Sequence, residues 1–168
     1  MRKNESKKIV LDMDDTLAHF NKEKNALERF DKESNFFYHL KPSKLLNLIN
    51  YMINNNYIDI NNVYIVSASP NEQADKDKLK WLYRHLPNIN KDNILFTRLG
   101  QNKGNIFIDT YKINDLSKYT LIDDYTKNLV EWQKLGGKVI KYINEYNNTK
   151  QSYKAYNIPT LNLNNTII

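Results

Sequence analysis

Two acidic pairs in this chain follow directly on short apolar runs. Asp12 and Asp14, in Asp12-Met13-Asp14-Asp15-Thr16-Leu17, come straight after Ile9-Val10-Leu11, and Asp123-Asp124 come straight after Leu121-Ile122. Carboxylates crowded in this way are costly, since two unit charges ~4 Å apart repel by about 4 kcal/mol at an effective dielectric of 20. A hard divalent cation reverses the sign of that term, and an all-oxygen ligand set of this kind suits Mg²⁺. Taken singly, each pair also reads as an acidic turn or as an Asp capping the next helix. A hydroxyl, Ser67, ends the run Val63-Tyr64-Ile65-Val66 where a helix is about to start, a place that suits an anion such as phosphate. Ser69 reads as the N-cap of that helix, with Pro70 at its first position and Asn71-Glu72 completing a capping box. Lys103, in the segment Thr97-Arg98-Leu99-Gly100-Gln101-Asn102-Lys103-Gly104, supplies a cation that can neutralise a phosphate. Read alone, it is a solvated loop lysine.

For these residues to meet, the elements between them must bring one end of several strands together. Ile9–Leu11, Val63–Val66, Ile94–Phe96, Tyr119–Ile122 and Val139–Tyr142 read as five strands, the continuous apolar ones buried on both faces. Between them lie helical patterns. Leu45, Leu48, Ile49, Met52 and Ile53 recur at i, i+3, i+4, i+7 and i+8; Leu79, Leu82, Tyr83 and Leu86 repeat the spacing; Leu129, Trp132 and Leu135 continue it up to Gly136, a natural stop. Alternation of this kind predicts an α/β fold with a parallel five-stranded sheet flanked by helices. Ligands of such sheets bind outside the carboxyl ends of the strands, where both acidic pairs and Ser67 fall.

Composition narrows the chemistry further. The 168 residues correspond to one domain. With no cysteine there is no disulfide framework, thiolate metal site or thiol nucleophile. Three histidines and no HExxH pair argue against a His-built zinc site. Only four glycines occur, and neither GxGxxG nor GxxxxGK[ST] is present. No apolar run is long enough to span a membrane, and the polar start MRKNESKK lacks the apolar region of a signal peptide, so the expected location is cytoplasmic. Lys and Arg exceed Asp and Glu by 25 to 19, an excess of six spread along the chain, which suits either an anionic partner or plain solubility.

The four chemical segments, in this order, resemble the haloacid dehalogenase superfamily. Its DxDx[TV] motif is matched by Asp12-Met13-Asp14-Asp15-Thr16, its Ser/Thr motif by Ser67, its lysine by Lys103 and its acidic pair by Asp123-Asp124. The resemblance covers residues 8–143 and implies a Rossmann-like core. An Asp at the position of Asp14 is the mark of that superfamily's phosphatases. Asp12-Met13-Asp14…Leu17-Ala18-His19-Phe20, Asn35-Phe36-Phe37 and Thr97-Arg98…Lys103 are similar to the 5′(3′)-deoxyribonucleotidase family. The spacing to Lys103 is longer than in that family, and Ser67-Ala68-Ser69-Pro70 stands where it has Thr-Ser-Pro.

The resemblance implies a phosphomonoesterase with Asp12 as nucleophile, Asp14 as general acid and base, and Ser67 and Lys103 binding the phosphoryl group. It implies Mg²⁺ held by the Asp12 carboxylate, the Asp14 backbone carbonyl and Asp124, with Asp123 as the alternative ligand or as the group that orients Lys103. Residues 19–42 would form a small helical cap within a single domain spanning 1–168. Phe20, Phe36 and Phe37 would face a nucleobase or pack the cap, and Ala68, Ser69 and Arg98 would line the substrate. A deoxynucleoside monophosphate is the implied substrate, with no membrane and no stable nucleic-acid complex. Alternatives are a phosphatase of the same fold acting on a sugar phosphate or a nucleic-acid 3′-phosphate end, and, from a different class, a basic nucleic-acid-binding domain without catalysis. The last leaves both acidic pairs unexplained. Residues 144–168, rich in Asn and Tyr, carry no readable motif, and the oligomeric state stays open, a homodimer included.

Overall fold

A computed structural model describes residues 7–147 and 152–165; the polar start and parts of the Asn- and Tyr-rich tail lie outside the described residues. Six parallel strands form one sheet: β1 (Lys8–Leu11), β2 (Val63–Ser69), β3 (Ile94–Arg98), β4 (Tyr119–Asp123), β5 (Lys138–Ile143) and β6 (Thr160–Asn162), in the order β3-β2-β1-β4-β5-β6. The five expected strands are present, and β6 adds a sixth beside β5. Three residues of mixed exposure are too short a run to show a period of two in the sequence.

Alternate residues of the central strands enter two cores. Leu11, Ile65 and Ile122 face one, where helices α2 (Lys44–Asn54) and α3 (Glu72–His85) contribute Leu45, Leu46, Ile49, Trp81 and Leu82. Val10, Val66, Leu121 and Val139 face the other, covered by Phe107 of α4 (Lys103–Tyr111) and by Leu129 and Trp132 of α5 (Thr126–Lys134). A short helix, α1 (Ala26–Arg29), lies in the segment between β1 and α2.

Two local readings change. Helix α3 is capped by Asn71, whose Oδ1 accepts from the Ala74 N–H at 2.9 Å, and Ser69 remains within β2 with its hydroxyl on the Asn71 carbonyl. The chain bends at Pro70 after β2, and Asn71, in an extended conformation, is the residue whose side chain reaches back to the first free N–H groups. Lys103 is the first residue of a helix rather than part of a loop, with Asn102 as N-cap accepting from the Asn105 N–H at 3.0 Å. Gly104 lets α4 settle against α5: a Cβ there would lie 2.5 Å from Leu135 Cδ1. Gly136, at φ +89°, follows the end of α5 as the left-handed stop expected of it.

Strand order reverses direction at β1, with β2 on one side and β4 on the other. That switch point opens a crevice at the carboxyl ends. Asp12 follows β1, Asp123 ends β4 and Ser67 lies near the end of β2.

Candidate active site

The turn after β1 is held by its own backbone. Met13 O accepts from the N–H groups of Thr16, Leu17 and Ala18, and Asp15 adopts φ 56°, a left-handed conformation that Asp tolerates better than most residues. Thr16 ties the two acidic segments together: its Oγ1 donates to Asp12 Oδ2 at 3.2 Å and accepts from the Asp124 N–H at 3.1 Å.

Lys103 enters between the two pairs. Its ammonium, almost fully buried, donates to Asp12 Oδ1 at 2.5 Å and to Asp123 Oδ2 at 2.9 Å. Burial alone would lower its pKa, but the charges of Asp12 and Asp123 outweigh that and hold it above its ordinary value. Asp123 has both oxygens engaged, Oδ1 by the Tyr125 N–H at 2.7 Å and Oδ2 by Lys103 and by Asn128 Nδ2 at 2.9 Å. Asp124 Oδ2, by contrast, receives a long 3.4 Å bond from Asn144.

A second lysine, which spacing in the sequence did not single out, completes the crevice. Lys78, on α3 and 0% exposed, donates to Asp14 Oδ2 at 2.6 Å, Ser67 Oγ at 2.9 Å and Ala68 O at 2.6 Å, using all three ammonium protons. The other Asp14 oxygen, Oδ1, is buried without a hydrogen-bond partner, an acceptor position that a ligand can fill. A signal for Lys78 was present: it sits on α3 one turn before Trp81, on the helix face that packs inward. A lysine among residues facing the core has to find a partner there.

Other candidates are placed differently from one another. Ala68 and Ser69 lie at the β2 end beside Ser67, the first through its carbonyl on Lys78. Arg98 forms a bidentate pair with Asp75 at 2.9 and 2.7 Å, tying the end of β3 to the first turns of α3 on the exposed rim. Burial pushes Asp75 up, but the bonds from Arg98 and Ser69 hold its carboxyl below the usual value. Phe20, Phe36 and Phe37 pack with Phe30 in an edge-to-face and stacked cluster, centroids 5.2 to 6.5 Å apart, and Phe37 is 1% exposed. The Lys78 ammonium lies 4.3 Å from the Phe37 ring centroid. Helix α3 also carries this segment through the Trp81 indole N–H on Leu40 O at 2.7 Å and through buried Asp77, which accepts from the Asn35 N–H at 2.5 Å.

Asp12, Asp123 and Asp124 offer carboxylate oxygens that all lie within 4.8 Å of one another, the one group of this kind among the described residues. Burial, with Asp123 and Asp14 nearby, pushes the Asp12 carboxyl up to about 7 despite Lys103. Burial and the charges of Asp123, Asp12 and Asp15 push Asp124 well above the usual carboxylate range. Around the crevice five carboxylates (Asp12, Asp14, Asp15, Asp123, Asp124) face three buried lysines (Lys78, Lys103, Lys141). The donor set of Asp12, Asp123 and Asp124 is all carboxylate oxygen and therefore fits a hard divalent cation, whose charge would offset the crowding that pushes Asp12 and Asp124 up.

The switch-point crevice, the acidic pairs and the crossing lysines are those of a haloacid dehalogenase-type α/β fold. Over residues 16–158 the chain matches, and belongs to, the family described as "5' nucleotidase, deoxy (Pyrimidine), cytosolic type C protein", a family of that superfamily. A search of curated protein sequences found no match. Among solved structures, a chain of "Structure of Pnkp1/Rnl/Hen1 complex" superposes with a TM-score of 0.54 at 14% identity, over 83% of this chain. At that identity the likeness is one of fold, and this chain spans 46% of the length of that one. No helix among the described residues is long and apolar enough to cross a membrane.

Proposed function

We propose that the protein is a Mg²⁺-dependent phosphomonoesterase that hydrolyses deoxynucleoside monophosphates to nucleoside and phosphate. The observation that carries this reading is the convergence of Asp12, Asp14, Ser67, Lys78, Lys103 and Asp124 on one crevice at the carboxyl ends of β1, β2 and β4. The family's description, a deoxy 5′-nucleotidase, supports the choice of substrate class.

An Asp12 oxygen attacks phosphorus while the bond from phosphorus to the ester oxygen breaks, leaving an aspartyl-phosphate on Asp12. Asp14, beside it in the crevice, gives the departing alkoxide its proton. Asp14 then takes a proton from water as that water attacks phosphorus and frees Asp12. Ser67, Lys78 and Lys103 hold the equatorial oxygens and balance their charge, which is most of the work in phosphoryl transfer. On arrival of the phosphoryl group, Lys78 exchanges its bond to Ala68 O or Asp14 for a phosphoryl oxygen. Asp12, the Asp14 carbonyl and Asp124 are the proposed metal ligands. Of the adjacent pair Asp124 is preferred because Asp123 already accepts from the Tyr125 N–H, Lys103 and Asn128, whereas among the described residues Asp124 Oδ2 accepts only the long bond from Asn144. A bound Mg²⁺ there supplies charge to neutralise the phosphoryl group and keep Asp12 ionised.

Residues 19–42 are proposed as a cap within a single domain, held on α3 by Asp77, Trp81 and Lys78. In this reading Phe20 and Phe36 contribute ring edges to the substrate side, while Phe37 supports Lys78. A second reading, an ester without a base, is favoured by one observation: the phenylalanine rings are spent on each other. The test is phosphate release, with Mg²⁺ and with EDTA, from 5′- and 3′-deoxynucleoside monophosphates, sugar phosphates and a 3′-phosphorylated oligonucleotide. Turnover of the monophosphates at least tenfold above the others supports the nucleotide reading; the reverse ranking overturns it.

A further inference from the structure

Lys141 is a lysine inside the sheet. It lies on β5 opposite Asp123, is 2% exposed, and donates from Nζ to the Asp124 carbonyl. Its ammonium also stands 5.7 Å from the centroid of the Tyr153 ring. Burying an ammonium is expensive unless its charge is used, and a strand position between apolar neighbours would be filled at lower cost by Val or Ile.

The turn that follows β5 reaches the same acid from another side. Asn147 Nδ2 donates to Asp124 O at 3.3 Å and to Tyr142 O at 3.0 Å. Asn144 Nδ2 donates to Asp15 O at 2.8 Å and to Asp124 Oδ2 at 3.4 Å. The two asparagines also lock each other. Asn144 N–H donates to Asn147 Oδ1 at 3.0 Å, and Asn147 N–H donates to Asn144 Oδ1 at 2.9 Å. Both are buried. Lys141 of β5 and two side chains from the featureless Asn-rich stretch thus grip the backbone and carboxylate of Asp124 and the turn at Asp15.

We propose that Lys141, Asn144 and Asn147 are positioning residues that aim the Asp124 carboxylate at the divalent cation. The inference rests on the reading that Asp12 and Asp124 hold that cation. Groups that orient metal ligands from behind typically contribute 10- to 100-fold in metal affinity. Core packing alone would also explain buried side chains, but it predicts a loss of stability with metal affinity unchanged.

The experiment titrates Mg²⁺ alone into the full chain by calorimetry, without substrate, for wild type, Lys141→Met and Asn147→Ala, with melting temperatures measured in EDTA. The expected result is a Kd for Mg²⁺ about tenfold or more weaker in Lys141→Met, and several-fold weaker in Asn147→Ala. The activity lost in either variant should return as Mg²⁺ is raised. Lower melting temperatures with an unchanged Mg²⁺ Kd overturn the inference while leaving the metal reading in place. A wild type that takes up no Mg²⁺ overturns the metal reading and this inference with it. If Lys141→Met does not fold, Asn147→Ala and Asn144→Ala decide the matter by the same Kd criterion.

Discussion

A carboxylate as enclosed as Asp12 is ionised at neutral pH only with help. Lys103 gives part of it, yet burial and the neighbouring Asp123 and Asp14 still leave the Asp12 carboxyl up at about 7. The folded protein therefore holds a proton that the unfolded chain has released above its ordinary 3.8, so without metal its stability falls as pH rises from about 4 to about 7. A divalent cation bound by the ionised form removes that slope. Melting curves in EDTA across this range should show the decline, and curves in Mg²⁺ should flatten it; parallel curves would show that the cation does not engage Asp12. Asp12→Asn should lower kcat by about 10⁴-fold or more while the melting temperature in EDTA at pH 7 stays level or rises, because a buried charge is gone. Retained turnover would remove Asp12 as nucleophile. At this scale much was legible. Asp12, Ser67, Asp123 and Asp124 follow apolar runs closely enough to be placed on a sheet edge from order alone, whereas Lys103, seven residues beyond the apolar run Ile94–Phe96, reads by itself as a loop lysine and gained its role only from the resemblance. Lys78 was not legible, since its position among core-facing residues of a helix shows only when the face is known to turn toward Asp14.

Helices α3 and α4 do more than cover the sheet. Helix α3 holds the segment before α2 on one side and the Asp14–Ser67 pair on the other, so Lys78 reports both. Lys78→Met should lower kcat about 10²- to 10³-fold, the size of a lost donor to a developing oxyanion. Steady-state kinetics with a single nucleotide checks this, and a change confined to KM would make Lys78 a binding residue alone. Phe37→Ala, on the same support, should cost about 3–5 kcal/mol of stability in denaturant titrations, the usual price of a buried ring. Helix α4 places Lys103 at its first turn and depends on a close approach at Gly104. A Cβ there would meet the end of the partly exposed Leu135 side chain, Cδ1, at 2.5 Å, so Gly104→Ala should displace Leu135 at a cost of about 1 kcal/mol in stability, read in denaturant titrations. A variant as stable as wild type would show that Leu135 yields without cost. Helix α4 escaped the sequence because Gly, Asn and β-branched Ile weaken its propensity and because its buried positions are Lys103, Gly104 and Phe107, only one of which is an apolar side chain that would mark a buried face. The strands were plain by comparison, since parallel strands buried on both faces leave unbroken apolar runs.

Over the whole molecule the charge is divided against itself. The chain carries a net +6, yet the crevice, before any cation binds, holds two more carboxylates than lysines. Catalytic charge is buried and close, so salt screens it little, whereas the excess lysines are on the outside, where the Debye length shrinks from about 30 Å to about 10 Å between 0.01 and 0.1 M salt. The proposed substrate is an anion that enters from solvent, so the outer field should act on its capture and the inner one on its turnover. Raising monovalent salt from 0.01 to 0.1 M, with Mg²⁺ saturating throughout, should therefore raise KM for a deoxynucleoside monophosphate several-fold and leave kcat within about twofold. Initial rates over a substrate series at each salt concentration separate the two parameters. A KM that stays level would assign the +6 excess to solubility rather than to substrate capture, and a kcat that falls instead would mean that salt reaches the crevice, contrary to the burial of Lys78 and Lys103.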